Sequence, residues 1–438
     1  MKSEKKFLRG VRSCAGSACR KEGGKRIPVF VPAILIFLLI AYAVYCAVFC
    51  RGSVMPEIPF NRMSEIPFNF LKLPASANPA ASEMLPFPSV SAESAVLIEK
   101  SSGRILYEKY KDMQLPPAST TNIMTALLAC EWAEDSEIAE TPESETQQML
   151  DRRMKASENA VSTEGSSIYL KEGEEVTFRD LLYGMMLRSG NDAATAISEN
   201  IAGSTQEFVN MMNERAESLE MNNTSFENPT GLHAEHHFSS AYDLALLARE
   251  ALNHEIFRKV ASSKVWHASR EGKDNYNYFY NKNKTVFRYP GATGVKIGYT
   301  VNAGRCLVAS AKRNGMELIA VVLNDRQWFD DAYSLLDYGF SAYDNVLISK
   351  AESRIMNINV TGGEHSTVAA GTRIDAVCPS LKGEKTDINL IYDVEQSVKA
   401  PVSRWQSAGE MKIYSGGNYI CSLPMYYLED VEKSGKDN

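Results

Sequence analysis

Pro117-Ala118-Ser119-Thr120-Thr121-Asn122-Ile123-Met124-Thr125-Ala126-Leu127-Leu128 is the stretch on which the reading of this chain turns. Apolar residues recur at helical spacing from Ser119 to Trp132, which predicts a helix with the serine at its start. Read by itself, Ser-Thr-Thr before such a run favours an N-cap, a hydroxyl that accepts a backbone N–H. The other role for Ser119 is nucleophile, which needs a neighbour that removes its proton. The side chain one turn later stands beside that hydroxyl, and here it is Asn122. An amide has no basic nitrogen near neutral pH.

Strand and helix signals lie on both sides of this stretch. Ala95-Val96-Leu97-Ile98-Glu99 and Arg104-Ile105-Leu106-Tyr107-Glu108 flank a Ser-Ser-Gly turn and predict a hairpin. Helical periodicity runs through residues 178–186, 193–202 and 208–219. A second hairpin is predicted around Asn314-Gly315, between Cys306-Leu307-Val308-Ala309-Ser310 and Leu318-Ile319-Ala320-Val321-Val322-Leu323. A helix over 329–340 closes this unit. Strands at both ends with helices between them predict one sheet whose edge strands come from opposite ends of the unit. After Ala342 the pattern changes to short β-branched runs at 355–360, 373–378, 388–394, 411–414 and 419–423, which predict a small all-β domain.

The 438-residue chain is 44% hydrophobic and 23% charged, an ordinary globular balance with room for two or three domains. A net charge of −7 gives no reason to expect nucleic acid as partner. Cys14 and Cys19 lie in a basic tail, Cys46 and Cys50 in an apolar run, and Cys130 and Cys306 in periodic apolar segments that favour buried thiols. Only Cys378 and Cys421 share a region in which a disulfide would be reasonable.

Residues 27–49 carry no charged side chain, enough at ~1.5 Å per residue to cross a hydrocarbon core of ~30 Å. The Lys- and Arg-rich tail before them keeps the N-terminus in the cytoplasm and places everything after Arg51 on the extracytoplasmic face. An uncleaved single-pass anchor in the cell membrane is expected over a cleaved signal peptide, because Ala75-Ser76-Ala77 lies far beyond the apolar run. The expected organisation is a cytoplasmic tail at 1–26, a transmembrane anchor at 27–50, a Pro/Ser/Ala-rich tether at 51–91, a helix-and-sheet domain at 92–342 and a β-rich domain at 343–438.

Two further clusters complete the chemistry that a serine nucleophile would need. They are Leu187-Arg188-Ser189-Gly190-Asn191-Asp192-Ala193-Ala194 and Tyr289-Pro290-Gly291-Ala292-Thr293-Gly294-Val295-Lys296-Ile297-Gly298-Tyr299-Thr300. Alone, Ser-Gly-Asn is a turn and Lys-Ile-Gly means nothing. Their weight comes from order, spacing and context, which includes Glu164-Gly165-Ser166-Ser167, Asn228-Pro229-Thr230-Gly231-Leu232 and Ser240-Ala241-Tyr242-Asp243-Leu244-Ala245. Together they resemble the penicillin-binding, serine-type D-alanyl-D-alanine carboxypeptidases, peptidase family S11, from about residue 95 to about residue 340. Residues 409–432 resemble the β domain that follows the catalytic unit in that family.

The resemblance implies an α/β (α+β) penicillin-recognising serine transferase fold, like that of the β-lactamases. It implies peptidoglycan stem peptides ending in D-alanyl-D-alanine as substrates, β-lactams as further ligands, and no cofactor. Carried over to matching positions, Ser119 is acylated as the terminal D-alanine leaves, and water releases the shortened peptide. Ser189 passes protons and Asn191 holds the substrate backbone. Lys296, Gly298 and Thr300 bind substrate, with Lys296 facing its terminal carboxylate. The backbone amides of Ser119 and Tyr299 receive the oxyanion.

Two positions depart from the family pattern. The family signature around the nucleophile is Ser-x-x-Lys, whose lysine amine accepts the serine proton, and Asn122 replaces that lysine. General-base assistance is worth ~10²–10⁴ in rate, or ~3–5 kcal/mol of barrier. Ile297 replaces the threonine of Lys-Thr-Gly, and one lost hydrogen bond to a charged group costs roughly 1.5–3 kcal/mol. Losses at one shared site need not add. Two function classes follow: a carboxypeptidase of weakened activity, or a non-catalytic peptidoglycan-binding or regulatory pseudoenzyme that keeps the fold. His233, His236 and His237 share a loop without an evident carboxylate partner, and no metal is expected there. No Gly-x-Ser-x-Gly elbow surrounds Ser119, which argues against a Ser-His hydrolase.

Overall fold

The computed structural model describes residues 86–134, 142–271, 276–383 and 387–434. The anchor expected at 27–50 and most of the tether lie outside these residues. Among the described residues no helix is long and apolar enough to cross a membrane. The last part of the expected tether already belongs to the folded unit: Val90 is buried, and the Ser91 hydroxyl lies 2.5 and 2.8 Å from carboxylate oxygens of Asp325 and Asp331.

Five antiparallel strands make the main sheet: β1 (Ser94–Glu99), β2 (Ile105–Lys109), β3 (Ala292–Thr300), β4 (Gly304–Arg313) and β5 (Met316–Leu323). Their order is β2-β1-β5-β4-β3, so the edges do come from opposite ends of the unit. The β4–β5 hairpin turns on Asn314 and Gly315, with φ of 48° and 82°. Two left-handed residues in succession are what a tight hairpin of matching twist needs.

The strand pleat divides the interior in two. Ile319, Val321 and Leu323 of β5 enter one apolar cluster, while Leu318, Ala320 and Val322 enter the other. The first cluster is covered by helices that include α1 (Asn122–Glu134), α2 (Phe178–Arg188), α3 (Asn191–Ala202), α4 (Thr205–Ser218), α5 (Ala241–Ala251) and α6 (Glu255–Ser262). The second is covered by α7 (Trp328–Ala342) through Phe329, Ala332, Leu335 and Leu336. A strand buried on both faces reads as a continuous apolar run rather than an alternating one, and β5 is such a run.

Beyond α7, Tyr343–Ser349 pairs with Ala376–Leu381. A six-stranded sheet follows in the order Ile388–Val394, Ser407–Ser415, Asn418–Tyr427, Thr367–Gly371, Met356–Thr361 and Ser397–Lys399. It has its own apolar cluster, which contains Cys378 and Cys421. Both thiols are buried and free, so the one reasonable disulfide is absent. The run expected from 373 begins at Ala376, and Thr367–Gly371 carried no strand signal because Ala and Gly are poor strand formers.

Candidate active site

Ser119 is not an N-cap. It lies inside a 3₁₀ turn, Ala118–Thr121, that feeds α1, and no side chain caps this turn. The turn is secured by its neighbours: the Thr120 hydroxyl donates to the Pro117 carbonyl at 2.7 Å and the Thr121 hydroxyl to the Ala118 carbonyl at 2.8 Å. Ala118 has φ 49°, a left-handed conformation that costs an alanine on the order of 1–3 kcal/mol.

Two glycines from distant segments hold that conformation. A Cβ on Gly231 would fall 1.9 Å from the Ala118 carbonyl oxygen. One on Gly298 of β3 would fall 2.9 Å from the Ser119 nitrogen and 3.0 Å from the Thr120 nitrogen. Only hydrogen fits at either place, so loop and edge strand both approach the nucleophile turn at backbone distance. Asn228 shapes the loop, its Oδ1 accepting from the Gly231 N–H and the Thr230 hydroxyl, each at 2.8 Å.

Asn122 is 0% exposed. Its Nδ2 donates to the carbonyls of Pro229 and Thr230 at 3.2 and 3.4 Å, and among the described residues its Oδ1 finds no donor. The side chain therefore braces the Gly231 loop. Neither of its polar atoms can take a proton from Ser119.

The facing wall comes from the junction of α2 and α3. Ser189 closes α2 in the left-handed region, φ 56° and ψ 39°, and Gly190 caps α3. At Asn191 the backbone N–H donates to the Ser166 carbonyl and Nδ2 to the Glu164 carbonyl, both at 2.6 Å. Among the described residues its buried Oδ1 has no partner. The Asp192 carboxylate accepts the N–H groups of Ile168 and Leu170 at 3.0 and 3.1 Å and the Ser167 hydroxyl at 2.7 Å, pinning the loop that carries Glu164. Ala193 and Ala194 pack into the first cluster.

From β3, Lys296 reaches this wall. It is 1% exposed, and its Nζ donates to Ser189 Oγ and, at 3.0 Å, to the Ile297 carbonyl. Burial pushes its pKa down to about 7, with the positive charge of Lys282 adding to the effect. Lys282 donates to Ser166 Oγ at 3.0 Å and is itself held below the usual lysine value by burial and by Arg188. Two lysines therefore give this wall a positive field that suits a carboxylate.

Other expected residues sit differently. The pleat turns Ile297 away from Lys296: it pairs with Leu307 and packs against the second cluster. A threonine hydroxyl at this position would therefore face away from Lys296, because this side chain is committed to the far face of the sheet. Thr300 Oγ1 accepts the Ala303 N–H at 3.0 Å and so holds the turn into β4. Tyr299 lies on the edge strand and is 63% exposed.

The histidines do not form a site. His237 is buried, its Nδ1 accepting the Glu227 N–H at 3.0 Å and its Nε2 lying 2.9 Å from Thr121 Oγ1. Since the Thr121 hydroxyl already donates to Ala118, Nε2 carries the hydrogen. Burial pushes this imidazole down to about 4, so it stays neutral with both nitrogens engaged. His233 and His236 are exposed. Elsewhere Glu131, Glu250 and His254 come together, but Arg215 supplies their cation at 2.6 and 2.8 Å from the two carboxylates. Sequence reasoning missed His237 and Gly231 as supports of the nucleophile turn, and Lys282 as the second cation of the wall. Each meets the site only through tertiary packing.

Comparisons with known proteins agree with this architecture. Residues 79–327 match the family described as D-alanyl-D-alanine carboxypeptidase (peptidase family S11), and residues 343–433 match the C-terminal domain of penicillin-binding protein 5. The chain is 36% identical to D-alanyl-D-alanine carboxypeptidase DacF of Bacillus subtilis over 78% of its own length and 87% of that protein. It is 32% identical to DacC of Escherichia coli over 84% and 90% of the two chains. Among solved structures, penicillin-binding protein 5 of Haemophilus influenzae superposes with a TM-score of 0.62 at 26% identity, covering 80% of this chain and 100% of that one. Penicillin-binding protein 6B of Escherichia coli gives 0.58 at 28% identity, covering 78% and 97%. The chain belongs to the D-alanyl-D-alanine carboxypeptidase family, peptidase family S11, with its α/β catalytic fold and C-terminal all-β domain.

Proposed function

We propose that this protein is a membrane-anchored carboxypeptidase that removes the terminal D-alanine from peptidoglycan stem peptides, with acylation slowed by Asn122. The observation that carries this reading is convergence. Ser119, the Ser189–Asn191 junction and Lys296 come from three separate segments to one groove, and the groove keeps an unpaired buried acceptor, Asn191 Oδ1. An acceptor left unsatisfied in the protein is a natural partner for a substrate N–H, since leaving it unmade costs ~1–3 kcal/mol. Lys296 and Lys282 supply the field for the substrate's terminal carboxylate.

In this reading Ser119 Oγ attacks the carbonyl of the penultimate D-alanine, and the amides of Ser119 and Tyr299 take the developing oxyanion. The C–N bond to the terminal D-alanine breaks, and water then hydrolyses the acyl-serine. The groove supplies position and electrostatic stabilisation, while the base expected at position 122 is gone. Turnover should fall ~10²–10⁴ below that of a relative with the lysine. Residues 27–50 would hold the catalytic unit at the outer face of the membrane through the tether.

Full-length protein in detergent, incubated with a stem pentapeptide ending in D-alanyl-D-alanine, should release D-alanine slowly, and Ser119→Ala should abolish the release. Peptide binding without release above the Ser119→Ala background would make the protein a non-catalytic wall-binding homologue instead. Loss of the protein from membranes after alkaline carbonate washing would remove the anchor from the account.

A further inference from the structure

We propose that Lys296, acting through the Ser189 hydroxyl, is the proton acceptor for Ser119 in this protein. The inference deepens the carboxypeptidase reading and rests on it. Around the nucleophile turn the usual bases are excluded one by one. Asn122 is an amide tied to Pro229 and Thr230. His237 has both nitrogens engaged on the far side of Thr121. Lys296 remains, and it is joined to a hydroxyl that can relay a proton.

Geometry puts this lysine on the correct face. Lys296 and Gly298 lie two residues apart on β3, about 6.7 Å along a strand and with side chains on one side. Gly298 lies against the Ser119 nitrogen, so Lys296 occupies the same face as the nucleophile turn. Its Nζ has hydrogen bonds to Ser189 Oγ and to a backbone carbonyl, and among the described residues no carboxylate pairs with it. A buried ammonium without a counter-ion is costly, which favours the neutral amine. The charged group that faces it is Lys282, from the segment after the strand Tyr278–Tyr280, with Arg188 at the end of α2 beside Lys282. Lys282 opposes protonation of Lys296, as Arg188 opposes that of Lys282. Substrate has to close the remaining gap between Ser119 and Ser189, as catalytic hydrogen bonds tighten in the Michaelis complex.

The step balances. Ser119 passes its hydroxyl proton to Ser189 Oγ while the Ser189 proton moves to the neutral Nζ, and Ser119 Oγ bonds to the substrate carbonyl carbon. On collapse the ammonium returns a proton through Ser189 to the leaving amine nitrogen, the C–N bond breaks, and Lys296 is neutral again. A carboxylate bound beside Lys296 favours the ammonium and so opposes the base. One lysine therefore serves two tasks that want opposite protonation states, which accounts for slow turnover with an assembled groove.

The test is the rate of covalent Ser119 labelling by a fluorescent penicillin, with full-length protein between pH 6 and 9. The unchanged protein should label faster as pH rises through the neutral range, because only the neutral amine accepts a proton. Lys296→Arg keeps the cation but cannot supply a neutral base. It should slow labelling at least ~100-fold, as should Ser189→Ala. Asn122→Lys should relieve the defect, leaving the Asn122→Lys, Lys296→Arg double variant within about tenfold of Asn122→Lys alone. That relief also separates a lost base from a misfolded site. A Lys296→Arg rate equal to the unchanged protein, a flat pH profile, or labelling seen only with Asn122→Lys would each overturn the proposal. If neither the unchanged protein nor Asn122→Lys labels, the proposal and the carboxypeptidase reading beneath it both fall.

Discussion

The two sides of the groove have diverged by different amounts. On one side Ser189, Asn191 and Lys296 keep the side chains of the family pattern and form a connected, largely satisfied wall. On the other, the Ala118–Thr121 turn keeps its strained backbone and its two glycine clamps, while the residue that would supply the base is an amide. Backbone geometry and acid–base chemistry are thus separable. The clamp depends on Gly231, Gly298 and the hydroxyls of Thr120 and Thr121, none of which needs a lysine at position 122. Asn122 even contributes to it, through its two bonds to the loop.

The clamp is where a single substitution should have its largest effect. Gly231 has φ 83°, and a methyl there would lie 1.9 Å from the Ala118 oxygen. Gly231→Ala should cost more than ~3 kcal/mol in a urea unfolding curve. It should also abolish Ser119 labelling in an Asn122→Lys background, where activity is otherwise raised. Retained stability would mean that the turn is not held as described.

Next comes the support behind the turn. His237 is neutral in the fold, with a pKa of about 4 against an ordinary 6.5. Between these values the unfolded chain binds the proton first, so stability is lost as pH falls from about 6.5 to about 4. The loss should reach roughly 3 kcal/mol, and His237→Gln should flatten that dependence in urea midpoints measured across the range.

The wall offers a smaller effect. Asn191→Ala removes both the bond to Glu164 and the unpaired acceptor. It should lower kcat/KM for pentapeptide ~10–100-fold, mostly through KM, when assayed in the Asn122→Lys background. Smallest of all should be Ile297→Thr. Because Ile297 packs on the far face of the sheet, restoring the family threonine should change labelling less than tenfold and cost about 1 kcal/mol of packing. A gain of several hundredfold would place position 297 in the groove after all.

Much of the fold was legible because its signals are local. The Asn314-Gly315 hairpin, the apolar run of β5 and the periodicity of α2 and α3 each follow from a dozen residues or fewer. The conformation of Ser119 was not local. An N-cap and a strained 3₁₀ turn begin with the same letters, and Gly231 and Gly298 choose between them from far along the chain. The Lys296–Ser189 bond likewise spans 107 residues. Alternation alone put Lys296 and Ile297 on opposite sides, but only the pairing of β3 with β4 and the packing of Ile297 on the second cluster show which side faces the groove. Thr367–Gly371 was missed for the opposite reason: its own residues favour no strand, and its neighbours in the sheet impose one.

In the proposed reaction the groove is assembled and lacks an efficient base beside Ser119. The most direct measurement is the second-order rate of Ser119 acylation by penicillin in the unchanged protein and in Asn122→Lys, side by side at pH 7. Acylation should be slow, and the added lysine should accelerate it by ~10²–10⁴. Rapid acylation of the unchanged protein, with no gain from the lysine, would contradict this.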